Sequence, residues 1–162
     1  MKNTIKIFLS VLAIGLVSCE AEFENPVTDE GFYTSGTANV AKYVAVGNSL
    51  TAGYADGALY ITGQENSYPN IMARQLALAG GGEFTQPMVN DNIGGLLAGG
   101  QQIAEPRFVL AVNASGNPGP VRLDGTPTTD ISNVLAGPFN NMGVPGAKSF
   151  HLVAPGYGNA AG

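Results

Sequence analysis

Val44-Ala45-Val46-Gly47-Asn48-Ser49-Leu50-Thr51-Ala52-Gly53 decides how this chain is read. The apolar run from Val40 to Val46 carries β-branched residues and ends in Gly47-Asn48, the pattern of a buried strand closed by a turn. In an open α/β sheet, ligands bind at the carboxyl ends of the strands. A serine placed there is rigidly held and solvent-exposed, and the backbone after it offers N–H groups. An acyl-transfer nucleophile needs this arrangement, because its Oγ must reach a carbonyl carbon while donors await the oxyanion. Ser49 is therefore the candidate nucleophile. The same three residues also suit a plain turn after a strand, since Gly, Asn and Ser are turn formers.

Downstream, residues 67–79 read as a helix. Ser67 stands as its cap, Pro69 falls in the first turn where a missing N–H is harmless, and Gly80-Gly81-Gly82 stops it. Ile71, Met72, Leu76 and Ala79 share one face at helical spacing. Residues 93–100 are Gly-rich and read as loop or short helix. Arg107 to Val112 and Val121 to Leu123 are strand-like and enclose a segment dense in turn formers, which predicts a β-hairpin. Asp130 to Leu135 reads as one or two helical turns capped by Asp130, and Asn140 to Gly146 as a loop.

The chain has 162 residues, the size of one domain. Its 12 Asp+Glu against 7 Lys+Arg argue against a nucleic-acid partner, which requires a basic patch. The 23 Gly and 10 Pro predict many turns and long loops. Gly80-Gly81-Gly82 and Gly94-Gly95 lack the Lys-Ser/Thr partner of a phosphate loop. No His/Cys/Asp cluster has metal-ligand spacing, so neither a metal nor another cofactor is expected.

At the N-terminus, Met1 to Lys6 is a short basic start, and Ile7 to Val17 is an apolar run of 11 residues broken only by Ser10 and Gly15. A spanning helix needs ~20 residues, but this run suits a signal-peptide core. It leads into Leu16-Val17-Ser18-Cys19, which resembles a bacterial lipobox. That resemblance implies a signal peptide over 1–18, acylation of Cys19 and a membrane reached through the lipid anchor. Residues 19–39 are polar and punctuated by Pro26, Gly31 and Gly36, as a tether would be. The start Cys19-Glu20-Ala21-Glu22-Phe23-Glu24 is acidic. It resembles the export signal of surface-exposed lipoproteins in some Gram-negative bacteria, and an ordinary solvated tether would look the same.

Gly47-Asn48-Ser49-Leu50 with Thr51-Ala52-Gly53 resembles block I of the SGNH/GDSL hydrolase family, whose block I serine is the nucleophile. The Tyr68-Pro69 pair before a helix is similar to the family as well. Asn141-Met142-Gly143-Val144-Pro145-Gly146 resembles its block II, Asn-x-Gly-x-x-Gly, in which the second Gly, here Gly146, offers its backbone N–H to the oxyanion hole. The resemblance covers roughly residues 40–153. It implies a flavodoxin-like α/β three-layer sandwich with a parallel sheet, here carrying an inserted β-hairpin. The implied activity is hydrolysis of an ester, either an acylated lipid or an acetylated glycan, by an outer-membrane lipoprotein.

Three departures qualify that reading. Asn48 stands where the family usually has Asp. No Gly-x-Asn-Asp motif, the family's block III, follows Gly146. The family's Asp-x-x-His is also missing: the only histidine, His151, has Lys148 three residues before it and reads as a surface or packing residue. A serine without a base is a weak nucleophile. The expectation is the N-terminal part of a hydrolase domain over 40–162, incomplete in its sheet and inactive by itself. The alternatives are a non-catalytic surface lipoprotein that binds glycan or another ligand, and a structural envelope protein with a fortuitous match.

Overall fold

The computed structural model describes Val27 and residues 31–112 and 114–156. The chain divides into two compact units, Met1–Tyr33 and Thr34–Gly162. The signal segment 1–18, Cys19 and most of the tether lie outside the described residues. In the first unit, Phe32 and Tyr33 meet edge to face with ring centroids 5.0 Å apart. Among the described residues no helix is long and apolar enough to cross a membrane.

The second unit is a mixed α/β structure with a small parallel sheet and few helices. Its elements run β1 (Ala45–Gly47), α1 (Ser49–Ala52), α2 (Ile61–Glu65), α3 (Tyr68–Leu78), β2 (Leu96–Ala98), β3 (Gln101–Ala104), β4 (Phe108–Val112), β5 (Pro118–Arg122), β6 (Asn141–Gly143) and a 3-10 helix (Ser149–Val153). β1 pairs in parallel with β6, Ala45 opposite Asn141, Val46 opposite Met142 and Gly47 opposite Gly143.

The strand expected over 40–46 forms only at its end. Its ladder begins where the Asn140 side chain donates to the Tyr43 carbonyl (2.9 Å) and the Ala45 N–H donates to the Asn140 carbonyl (2.9 Å). The strand is also not buried on both faces: Ala45 is buried, but Val44 and Val46 are more than half exposed. The segment 140–146, expected as a loop, supplies β6, because its backbone completes the β1 ladder through to a Val144 N–H bond to the Gly47 carbonyl (3.0 Å). On the other edge of β6, the Thr85 carbonyl accepts the N–H groups of Asn140 (2.9 Å) and Asn141 (3.1 Å).

α1 lies almost directly on this sheet. A Cβ on Gly143 would stand 2.3 Å from the Ala52 nitrogen, and one on Gly47 would stand 2.1 Å from Thr51 Oγ1. The first contact is with backbone, which cannot swing aside. Glycine at these two paired positions is therefore what lets a four-residue helix sit on two strands.

α3 starts and stops within a residue of the expected bounds. Its end is closed by Gly81 N–H to the Leu76 carbonyl (2.8 Å) and Gly80 N–H to the Ala77 carbonyl (3.2 Å), a Schellman pair. Ser67 holds the N-cap position, but its hydroxyl donates to Gln86 Oε1 (3.2 Å) instead of capping. The buried face also differs from the expected one. Pro69 and Ala73 are buried, whereas Ile71 and Met72 are 44% and 47% exposed. Small side chains at positions 69 and 73 let the helix approach closely, and that contact outweighs burying the larger residues.

The remaining strands form two antiparallel hairpins. β4 and β5 make the expected one, Phe108 opposite Arg122 through Val112 opposite Pro118. β2 and β3 make one in the Gly-rich stretch, through a two-residue Gly99-Gly100 turn with positive φ at both residues. The segment from Asp130 is not helical. It runs beside β2, with the Leu97 N–H bonded to the Thr129 carbonyl (2.8 Å) and the Ile131 N–H to the Leu97 carbonyl (2.9 Å).

Candidate functional site at the ends of β1 and β6

Two parallel strands in register send their next residues out on the same side of the sheet. After β1 come Asn48 and then Ser49, the first residue of α1. After β6 come Val144-Pro145-Gly146. These last three residues and Ala147 form a turn closed by the Ala147 N–H on the Val144 carbonyl (3.0 Å). Gly146 has φ +80, the value that a proline-led type II turn requires at its third position and that favours glycine. Ser49 is half-buried and Gly146 is exposed.

A cleft of about 310 Å³ opens at these strand ends. Gly47, Asn48 and Thr51 form one part of its wall, and Ala147, Lys148, Ser149 and Leu152 form the other. Ser49 is not itself in the wall but lies between two residues that are. Among the described residues Lys148 is the only charged side chain lining the cleft. The position agrees with the rule that open α/β sheets bind ligands outside the carboxyl ends of their strands.

The residues that fix this geometry are neutral amides and hydroxyls. Asn141, 3% exposed, donates through Nδ2 to the Thr51 carbonyl (2.8 Å) and to Gln86 Oε1 (2.9 Å), and its Oδ1 accepts the Gly143 N–H (2.9 Å). Thr51 Oγ1 lies 3.0 Å from the Tyr68 hydroxyl. Burial first, and the neighbouring Tyr68 second, push the Tyr43 hydroxyl above its ordinary pKa of 10.0. Gln64, also 3% exposed, donates to the Pro87 carbonyl (2.9 Å) and accepts the Val89 N–H (2.8 Å).

His151 sits in the 3-10 helix that follows the Gly146 turn. Its Nδ1 accepts the Lys148 N–H (3.2 Å) and its ring meets Phe150 edge to face at 4.3 Å. Asn90-Asp91 lies in irregular chain. The Asp91 carboxylate accepts from the Thr128 hydroxyl and N–H (2.7 Å for the latter) and from the N–H groups of Ile93 (2.8 Å) and Gly94 (2.9 Å). Burial works to raise the Asp91 pKa, but these donors outweigh it and hold the carboxyl below its ordinary value. Among the described residues no group of three His, Cys, Asp or Glu could hold a metal ion.

In the sequence Asn141 stands out only as the first letter of a motif, and Gln86 and Gln64 do not stand out at all. A single polar residue in irregular sequence carries no sign that it will be buried. Compared with protein-family models, with curated proteins and with solved structures, the chain gives no match.

Proposed function

We propose that this chain carries the front part of an exported serine hydrolase of the SGNH type, with Ser49 as nucleophile and the Ser49 and Gly146 N–H groups as oxyanion donors. The substrate is an ester, an acylated lipid or an acetylated glycan, and Cys19 is the lipid anchor at the outer membrane. The observation that carries this reading is the pairing of Gly47 with Gly143, which brings the Ser49 turn and the Gly146 turn to adjacent strand ends beside one cleft. A base outside the described residues takes the Ser49 Oγ proton as Oγ attacks the acyl carbon and the carbonyl oxygen becomes the oxyanion; the C–O bond to the leaving alkoxide then breaks as the base returns that proton to it, and water hydrolyses the acyl-Ser49 ester by the same proton route.

The open face of the sheet supports that last assignment. Val44, Val46, Met142 and Val144 are 42–56% exposed, and parallel sheets are ordinarily covered on both faces. Chain outside the described residues is therefore expected over this face, and we assign the family's Asp-x-x-His to such chain. The test is a fluorophosphonate probe on the full-length gene product. Labelling that is lost in Ser49→Ala supports the reading. Labelling of the 162-residue chain by itself would contradict the assignment of the base to another segment.

The second reading, a lipoprotein that binds glycan without hydrolysing it, is favoured by one observation. The sole histidine is engaged with the Lys148 backbone beside the cleft. A full-length protein that binds glycan yet resists the probe would establish it.

A further inference from the structure

We propose that Asn141 is a positioning residue for this site: its carboxamide locks the short helix that carries Ser49 to the strand that leads to Gly146. The inference rests on the hydrolase reading above and assigns a role to a buried group which that reading leaves unused. α1 has only four residues, far too few to hold a helical geometry without tertiary ties. Asn141 provides such a tie through every polar atom of its side chain. One N–H goes to the Thr51 carbonyl, two residues after Ser49, and the other to Gln86 Oε1. Its oxygen takes the N–H of Gly143, three residues before Gly146. Gln86 Oε1 also accepts from Ser67 Oγ, so the clamp runs back to the start of α3, the longest helix among the described residues. A carboxamide has two donors and an acceptor on one rigid plane, and this position uses all three. The nucleophile turn and the oxyanion turn are thus registered to each other through one side chain, which touches neither reacting atom.

The test uses the full-length gene product and a fluorophosphonate probe, measuring the saturating inactivation rate separately from the half-saturating concentration. Asn141→Asp keeps the size and the acceptor for Gly143 but turns an oxygen toward the Thr51 carbonyl and Gln86 Oε1. The expected result is a saturating rate lower by on the order of 100-fold, the cost of a misplacement of about 1 Å, with the half-saturating concentration within about twofold. A residue that only stabilised the fold would reduce the fraction of protein labelled and leave the rate constant of the folded fraction unchanged. Gln86→Met removes one of the two acceptors and disturbs the fold less, and its expected loss is about tenfold by the same argument. Wild-type rate constants in a folded Asn141→Asp protein overturn the inference. If that variant does not fold, a wild-type rate in Gln86→Met overturns it. In both cases wild-type protein that labels at Ser49 leaves the hydrolase reading standing, whereas wild-type protein that does not label removes both.

Discussion

Around β1 and β6 the chain is held by uncharged groups, the side chains of Asn140, Asn141, Gln86, Gln64 and Thr85. In the β2–β3 turn and in the loops that flank the two hairpins, carboxylates are the acceptors. Asp91 gathers residues 93, 94 and 128. Asp130 accepts the N–H groups of Gly99 (3.1 Å) and Gly100 (2.7 Å) and so pins the β2–β3 turn, and Asp56 accepts the Tyr60 hydroxyl (2.6 Å). The first region is tied across long sequence separations and has little room for change. The second is built from local pairings joined by charge. Steric substitutions should therefore damage the first region most, and acid the second.

The largest effect is expected at Gly143. Gly143→Ala drives a methyl group into the α1 backbone and is expected to cost about 3 kcal/mol, at the upper end of overpacking penalties, read as a lowered urea midpoint at unchanged slope. Next is Asp91→Ala, which leaves three N–H groups and a hydroxyl without their acceptor. A loss of about 2 kcal/mol is expected, the scale of bonds to a charged group at a half-buried site, with the exchange of the Ile93, Gly94 and Thr128 amides speeding up before the rest.

A smaller, local effect separates the regions by pH. The hydroxyl and N–H of Ser132 and the N–H of Gly100 lower the Asp130 pKa from 3.8 to about 2. A carboxyl whose folded pKa is depressed contributes stability above its unfolded pKa and loses it as pH falls through the folded one. Protection of the Gly99 and Gly100 amides should therefore fade between about pH 3.8 and about pH 2, while that of Asn141 and Val144 holds. The smallest effect is expected on the outer face of β4. Leu110 is 82% exposed, and Leu110→Ser should change stability by less than about 0.5 kcal/mol.

The same division explains what could be read from sequence. The hairpin over 107–123, the bounds of α3 and its glycine stop each carry a local signal, and each forms. β6 carries none. Asn-Met-Gly has no β-branched residue and becomes a strand only because β1 is there to pair with it. The β2–β3 hairpin was hidden because Gly99-Gly100 reads equally well as loop. At 130–135 the helix start signal is satisfied otherwise, since the Asp130 carboxylate takes the Ser132 N–H (2.9 Å) within a turn instead of beginning a helix. On α3, periodicity pointed to the largest apolar residues, whereas close packing of Pro69 and Ala73 sets the face. At the site, Ser49 and Gly146 could be named from their motifs. The amides that hold them could not, because their role exists only once distant segments have met.

That meeting has an order in time. Tyr43 and Asn140 are joined across 97 positions of sequence, and Thr51 and Asn141 across 90, whereas each hairpin closes over a few residues. Distant pairings pay their loop-closure entropy before any contact rewards them. The hairpins are thus expected to form early, and the cleft beside Ser49 among the last parts of the chain. Until β6 arrives, β1 is a bare strand with an apolar side. The interval before that docking is when exposure to aggregation and to proteases is expected to be greatest.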